Sequence, residues 1–118
     1  MGRYAGIQTV KKMKILIWIL LLLLTGCSNK VEEVPLMFLV THASSFDGRQ
    51  VQVSGVVRGL AEPEHYWLED EQLNRVGLHP ASAARTYLDQ TVMVTGRFSA
   101  DRNKGRHLRG IRVVVLSE

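Results

Sequence analysis

The single cysteine of this 118-residue chain, Cys27, closes the stretch "LLLLTGC" at the exit of its most apolar segment. A thiolate is a strong nucleophile, so a lone thiol directly behind an apolar run is the first candidate for chemistry in the chain. With no second cysteine, a disulfide within the chain is excluded. Other catalytic residue types lack the spacing that catalysis needs. Ser44, Ser45, Ser54, Ser82 and Ser99 stand in no nucleophile motif, and a nucleophile requires a base plus a third group that orients it. His42, His65, His79 and His107 are spread along the chain without the short spacings of metal sites. Glu69, Asp70 and Glu71 are adjacent, but acid–base pairs need environments that separate their pKa values, so this run reads as a solvated turn. No enzyme, metal site or cofactor is expected.

Two groups of residues offer binding chemistry instead. The first is the pair Tyr66 and Trp67 with Arg75 nearby. An aromatic ring can stack on a base or sugar, although large aromatics more often pack in a core. The second runs from Arg97 through Arg102, Lys104, Arg106 and Arg109 to Arg112, with Asp101 as its one acid. Such a basic segment suits anionic headgroups or an acidic protein patch. It would equally serve as a solvated hairpin whose charges discourage edge pairing.

The elements that carry these residues are legible in the pattern. Ile15 to Leu24 is an unbroken apolar run of ten residues, half the roughly 20 that a membrane span needs. Lys11, Lys12 and Lys14 precede it and small residues follow, the layout of a secretory signal peptide. Met13 opens a complete segment of this kind and is a possible true start. Residues 27–34 read as Cys27 with a polar tether, and 35–118 as the domain. In that domain Leu36, Leu39, Val40 and Ala43 keep helical spacing behind Pro35, while "LMFLV" would also serve as a strand. Alternation then predicts strands at "RQVQVSGVVR", "HYWLED", "RVGLH", "QTVMVTGRF" and "RHLRGIRVVVL", with a helix in "PASAARTYLD" presenting Ala84, Tyr87 and Leu88. Glycines 55, 77, 96 and 110 mark bends or bulges in four strands. The resulting class is mainly β: a small five-stranded Greek-key barrel of the OB type, with a short N-terminal helix and a helix between strands three and four. Its outer face would offer Gln50, Gln52, Ser54, Arg75 and one of Tyr66 or Trp67.

Leu24-Thr25-Gly26-Cys27 resembles the lipobox of bacterial lipoproteins. The resemblance implies cleavage before Cys27, a diacylglyceryl group on its sulfur and acylation of the new amine. Several chains, at about 0.8 kcal/mol per buried CH₂, make a stable anchor. "PLMFLVTHASSFDGRQVQVSGVV" and "LDQTVMVTGRF" resemble the two repeated units of bacterial OB-fold domains, with Gln90 where the family often has glycine. Together they look like the small OB-fold lipoproteins of Gram-negative bacteria. Ser28, where inner-membrane retention would place Asp, implies the periplasmic face of the outer membrane.

Processing would remove Arg3, Lys11, Lys12 and Lys14, leaving 11 Lys and Arg against 11 Asp and Glu. The basic balance of the full chain therefore says nothing for nucleic acid. Acids clustered between Glu62 and Glu71, against bases after Arg97, predict a dipolar domain. The expectation is a non-catalytic, lipid-anchored protein-interaction or accessory module of the envelope, partnering the membrane through Cys27 and an envelope protein or itself. The alternative is a ligand-binding domain for an anionic lipid, an oligosaccharide or, least favoured, single-stranded nucleic acid.

Overall fold

The computed structural model describes residues 31–117. Cys27, the signal-like segment 1–26 and the start of the tether lie outside the described residues. In chain order the elements are β1 (Glu32–Glu33), α1 (Leu36–Thr41), α2 (Ala43–Phe46), β2 (Gln50–Ala61), β3 (Glu64–Glu69), β4 (Arg75–Leu78), α3 (Ala81–Ala84) with a 3₁₀ turn at Arg85–Tyr87, β5 (Thr91–Asp101) and β6 (Gly105–Ser117).

The strands follow from period-two patterning. Val51, Val53 and Val57 of β2 are buried, as are Val92, Val94 and Phe98 of β5, while their neighbours face outward. β2 pairs antiparallel with β5 over Gln50–Val56 and then with β3 over Val56–Ala61. β3 pairs antiparallel with β4, β4 parallel with β6, and β6 antiparallel with β5. The sheet thus closes into an OB-like five-stranded barrel, β2–β3–β4–β6–β5–β2.

Closure needs β2 to change partners midway, and Gly55 stands at that point. A Cβ there would lie 2.8 Å from the Glu69 carbonyl oxygen and 2.9 Å from Leu68 Cγ, so the approach of β2 to β3 requires glycine. Gly110, at φ +60°, occupies the register shift where Thr95 faces Arg112 but Arg97 faces Arg109. This is a bulge. It explains why Leu108 and Ile111, of opposite parity, are both buried.

Leu36 and Leu39 of α1 and Ala84 of α3 join the core formed by the strands. Each large side chain taken from water contributes roughly 1.5–3 kcal/mol, and without a disulfide this burial carries the stability. Two expectations change. Residues 31–34 are not free tether, because Glu32–Glu33 pair parallel with Val51–Gln52 and Val34 is buried, its N–H donating to the Gln52 carbonyl. Leu88 falls beyond α3 and its 3₁₀ turn and is exposed, whereas Ala84 is buried and Tyr87 packs on the core.

Candidate functional site

Adjacent residues on a strand point to opposite faces, so only one of Tyr66 and Trp67 can face outward. Tyr66 is the inward one, opposite Gly59 of β2 and a member of the core, and is removed from the candidate surface. Trp67 stands on the outer face, between Arg58 of β2 and Gly77 of β4 in register. The Arg75 guanidinium lies over its ring, 5.0 Å from the centroid, and His65 flanks it at 5.4 Å. A cation over an indole face is an attractive arrangement, and here it sets a guanidinium and an aromatic ring together on the outer face.

Glu69 holds that arrangement together. Its side chain is mostly buried and accepts from Arg75 Nε at 2.7 Å and Trp67 Nε1 at 3.3 Å, with Arg58 Nε at 3.8 Å. The acidic run is therefore not a solvated turn throughout. Asp70 also has a structural role: its Oδ1 accepts from the Gln72 and Asn74 amides and its Oδ2 from Asn74 Nδ2, closing the β3–β4 turn.

The same outer face continues across β4 to β6 and β5. Gly77 is opposite His107, and His107 is opposite Ser99. Because Gly77 has no side chain, the rings of His79 and His107 can meet there, edge to face, with centroids 5.2 Å apart. The carbonyl of Gly105, 3.2 Å from His107 Nδ1, can only accept; it fixes the proton on Nδ1. Burial pushes the His79 imidazole below the ordinary histidine range, and the nearby charges of His107 and Lys104 act in the same direction. The region is electropositive. Sequence spacing gave no sign of this histidine pair. Among the described residues, no three His, Cys, Asp or Glu gather as metal ligands.

Beyond His79 the face becomes strongly cationic. Arg97 of β5 stands directly opposite Arg109 of β6, and both are exposed. Arg97 donates to the Gly48 carbonyl at 2.6 Å. Arg112 stands opposite Thr95 one step along. The remaining candidates, Arg102, Lys104 and Arg106, lie on and beside the turn between β5 and β6.

The cations divide into two groups. Arg49, Arg58, Arg75 and Arg85 each reach a carboxylate, on Glu32, on Glu69 and Asp89, on Glu69 and on Glu64 respectively. The Glu64 hydrogen bond and charge hold the Arg85 guanidinium above its ordinary pKa. Among the described residues, no carboxylate lies within ion-pair distance of Arg97, Arg102, Lys104, Arg106, Arg109 or Arg112. The expected dipole therefore needs restating. Glu64 and Glu69 are spent on ion pairs, while the basic ribbon is uncompensated.

A cleft of about 590 Å³ beside the β3–β4 turn is lined by Val56, Arg58, Glu69 to Leu73, Thr91 and Leu116 among others. Its Arg58, Glu69 and Asp70 are already engaged with one another or with the turn, so it offers less unmet polar chemistry than the cationic face. Compared with known protein families, with curated proteins and with solved structures, the chain matches none.

Proposed function

We propose that this protein is a lipid-anchored, non-catalytic binding module of a Gram-negative envelope, with an OB-type barrel held by Cys27 on the periplasmic side of the outer membrane. Its outer β3–β4–β6–β5 face docks an acidic surface of an envelope protein. One observation carries this reading: Arg97 and Arg109 occupy directly opposed positions on β5 and β6, and among the described residues neither has a carboxylate within ion-pair distance. Like charges directly opposite cost stability. Every arginine earlier in the described chain has a carboxylate partner, so the exception is local. An acidic partner surface would relieve the repulsion and convert it into binding.

The test is crosslinking in native membranes, purification of the lipidated protein and identification of what accompanies it. The reading expects one recurrent protein, lost when Arg97 and Arg109 are changed to Gln. Recovery of the same partners by the wild type and the R97Q/R109Q variant would refute it. A Cys27→Ser variant should leave the membrane fraction; if it stays, the anchor reading fails.

A second reading has its own support in the stack of His65, Trp67 and Arg75, which suits the ring of an anionic glycan. Trp18 would be removed with the signal segment, leaving Trp67 as the one tryptophan of the processed chain. Its fluorescence would report such a ligand directly. A salt-sensitive change on titration with an acidic oligosaccharide, absent in R75Q, is the expected result for that reading.

A further inference from the structure

We propose that the β5–β6 hairpin end of the barrel rests on the membrane surface, with Arg102, Lys104 and Arg106 placed on the phosphates of anionic lipid headgroups. This rests on the lipidation of Cys27 and assigns the hairpin a role separate from that of the Trp67–Arg109 face.

Chain direction supplies the first reason. β1 runs parallel to β2, with Glu32 beside Val51, and Gln50 of β2 is beside Arg97 of β5. Moving from Glu32 toward the N-terminus therefore leads past the start of β2, the direction in which β5 continues from Arg97 to Asp101. The Arg49–Glu32 ion pair ties the chain down at this end. Val31, the first described residue, thus stands at the end of the barrel where the hairpin projects.

Chain length supplies the second. Three residues, Ser28 to Lys30, separate Cys27 from Val31. Even fully extended, that connection reaches about 14 Å. β2 alone, at 12 residues, is roughly 40 Å long at strand rise. A tether this short cannot let the far end of the barrel turn to the bilayer while the hairpin end faces away.

Chemistry supplies the third. The three cations lack carboxylate partners among the described residues. The acids at this end are already occupied in part: Asp101 Oδ1 accepts from the Asn103 amide, Asp47 Oδ1 from the Ala100 amide, and Glu32 holds Arg49, leaving exposed Glu33. Ala43 of α2 shares a shallow depression with Ala100, Arg102 and Arg106. Clustered basic side chains without carboxylate partners are what the anionic surface of a bilayer attracts.

The experiment uses the full-length, processed protein in liposomes. With Cys27 acylated, an introduced cysteine is the free thiol. A fluorophore is attached at Asn103→Cys on the hairpin turn or at exposed Gln72→Cys on the β3–β4 turn, which shares a cleft with Thr91 at the opposite end of β5. A headgroup-linked quencher reports proximity to the surface. On phosphatidylglycerol-containing vesicles the N103C label should be quenched at least threefold more than the Q72C label. That excess should fall away in R102Q/K104Q/R106Q protein and on purely zwitterionic vesicles. Equal quenching at the two sites in acylated protein overturns the orientation alone. Excess quenching that survives neutralisation overturns the headgroup contact. An unquenched hairpin that crosslinks to an envelope protein in cells assigns these cations to an acidic protein and also overturns it. A Cys27 peptide lacking acyl mass overturns the proposal and the anchor reading together.

Discussion

Reversing the charge at Arg109 separates binding from stability. Arg97 and Arg109 occupy directly opposed positions on an antiparallel pair, both exposed, with no carboxylate partner among the described residues. A like-charged pair costs, and an opposite pair contributes, roughly 0.2–1 kcal/mol. Arg109→Glu removes the first and adds the second, for a gain of about 1 kcal/mol, reduced a little because glutamate is a poor strand residue. In a domain of this size that raises Tm by about 4–8 °C. Arg109→Gln removes the repulsion alone and should gain about half as much. The assay is thermal unfolding at low and high salt. Near 1 M the Debye length is about 3 Å, shorter than the reach between the two side chains, so the gain of the Glu variant over the Gln variant should nearly vanish. The same R109E change should abolish recovery of the acidic partner. A Glu variant no more stable than the Gln variant at low salt, or equally favoured at high salt, would show that the two guanidinium groups do not oppose each other.

Three further outcomes test the parts that hold this face. A Cβ on Gly59 would overlap the Tyr66 ring and lie 2.9 Å from the His65 carbonyl oxygen, so Gly59→Ala should cost about 1–3 kcal/mol by overpacking; the ring's share of that cost should disappear in a Tyr66→Leu background while the backbone share remains, and equal cost in both backgrounds would place the ring elsewhere. Glu69→Gln should cost about 1 kcal/mol, discounted because Arg75 and Arg58 are half exposed and can turn to water, and it should shift Trp67 emission as Arg75 leaves the ring; unchanged emission would refute the assigned role of Glu69. Because the folded-state pKa of His79 is depressed by burial and by His107 and Lys104, the unfolded chain takes up the proton first. Stability should therefore be lost as pH falls below about 6.5 and down to the folded-state value, and His79→Gln should flatten a denaturation series across that window; an identical pH profile in wild type and variant would count against it.

How far the sequence reaches differs between fold and site. The five strands of the barrel were legible because burial on a strand follows a period of two, and Val51, Val53 and Val57 state that period locally. The bulge at Gly110 was legible for the same reason, since Leu108 and Ile111 break parity on either side of it. β1 was not legible. Two glutamates carry no strand signal, and their pairing depends on β2 having a free edge where β3 has not yet begun. The polar reading of Glu69 failed because a carboxylate's surroundings are set by what folds over it, here two arginines and an indole from three strands.

Local chemistry, then, was written in the sequence by itself: an apolar run ending in a cysteine, alternating strands, a basic stretch after Arg97 and the absence of any catalytic spacing. Neighbourhood was decided by the tertiary structure. Trp67 rather than Tyr66 faces out, His79 meets His107 beside Gly77, and Arg97 stands opposite Arg109. The reason is physical. Side-chain direction along a strand is a property of the chain, whereas adjacency across strands depends on register and closure, which are fixed only when the whole barrel packs at once.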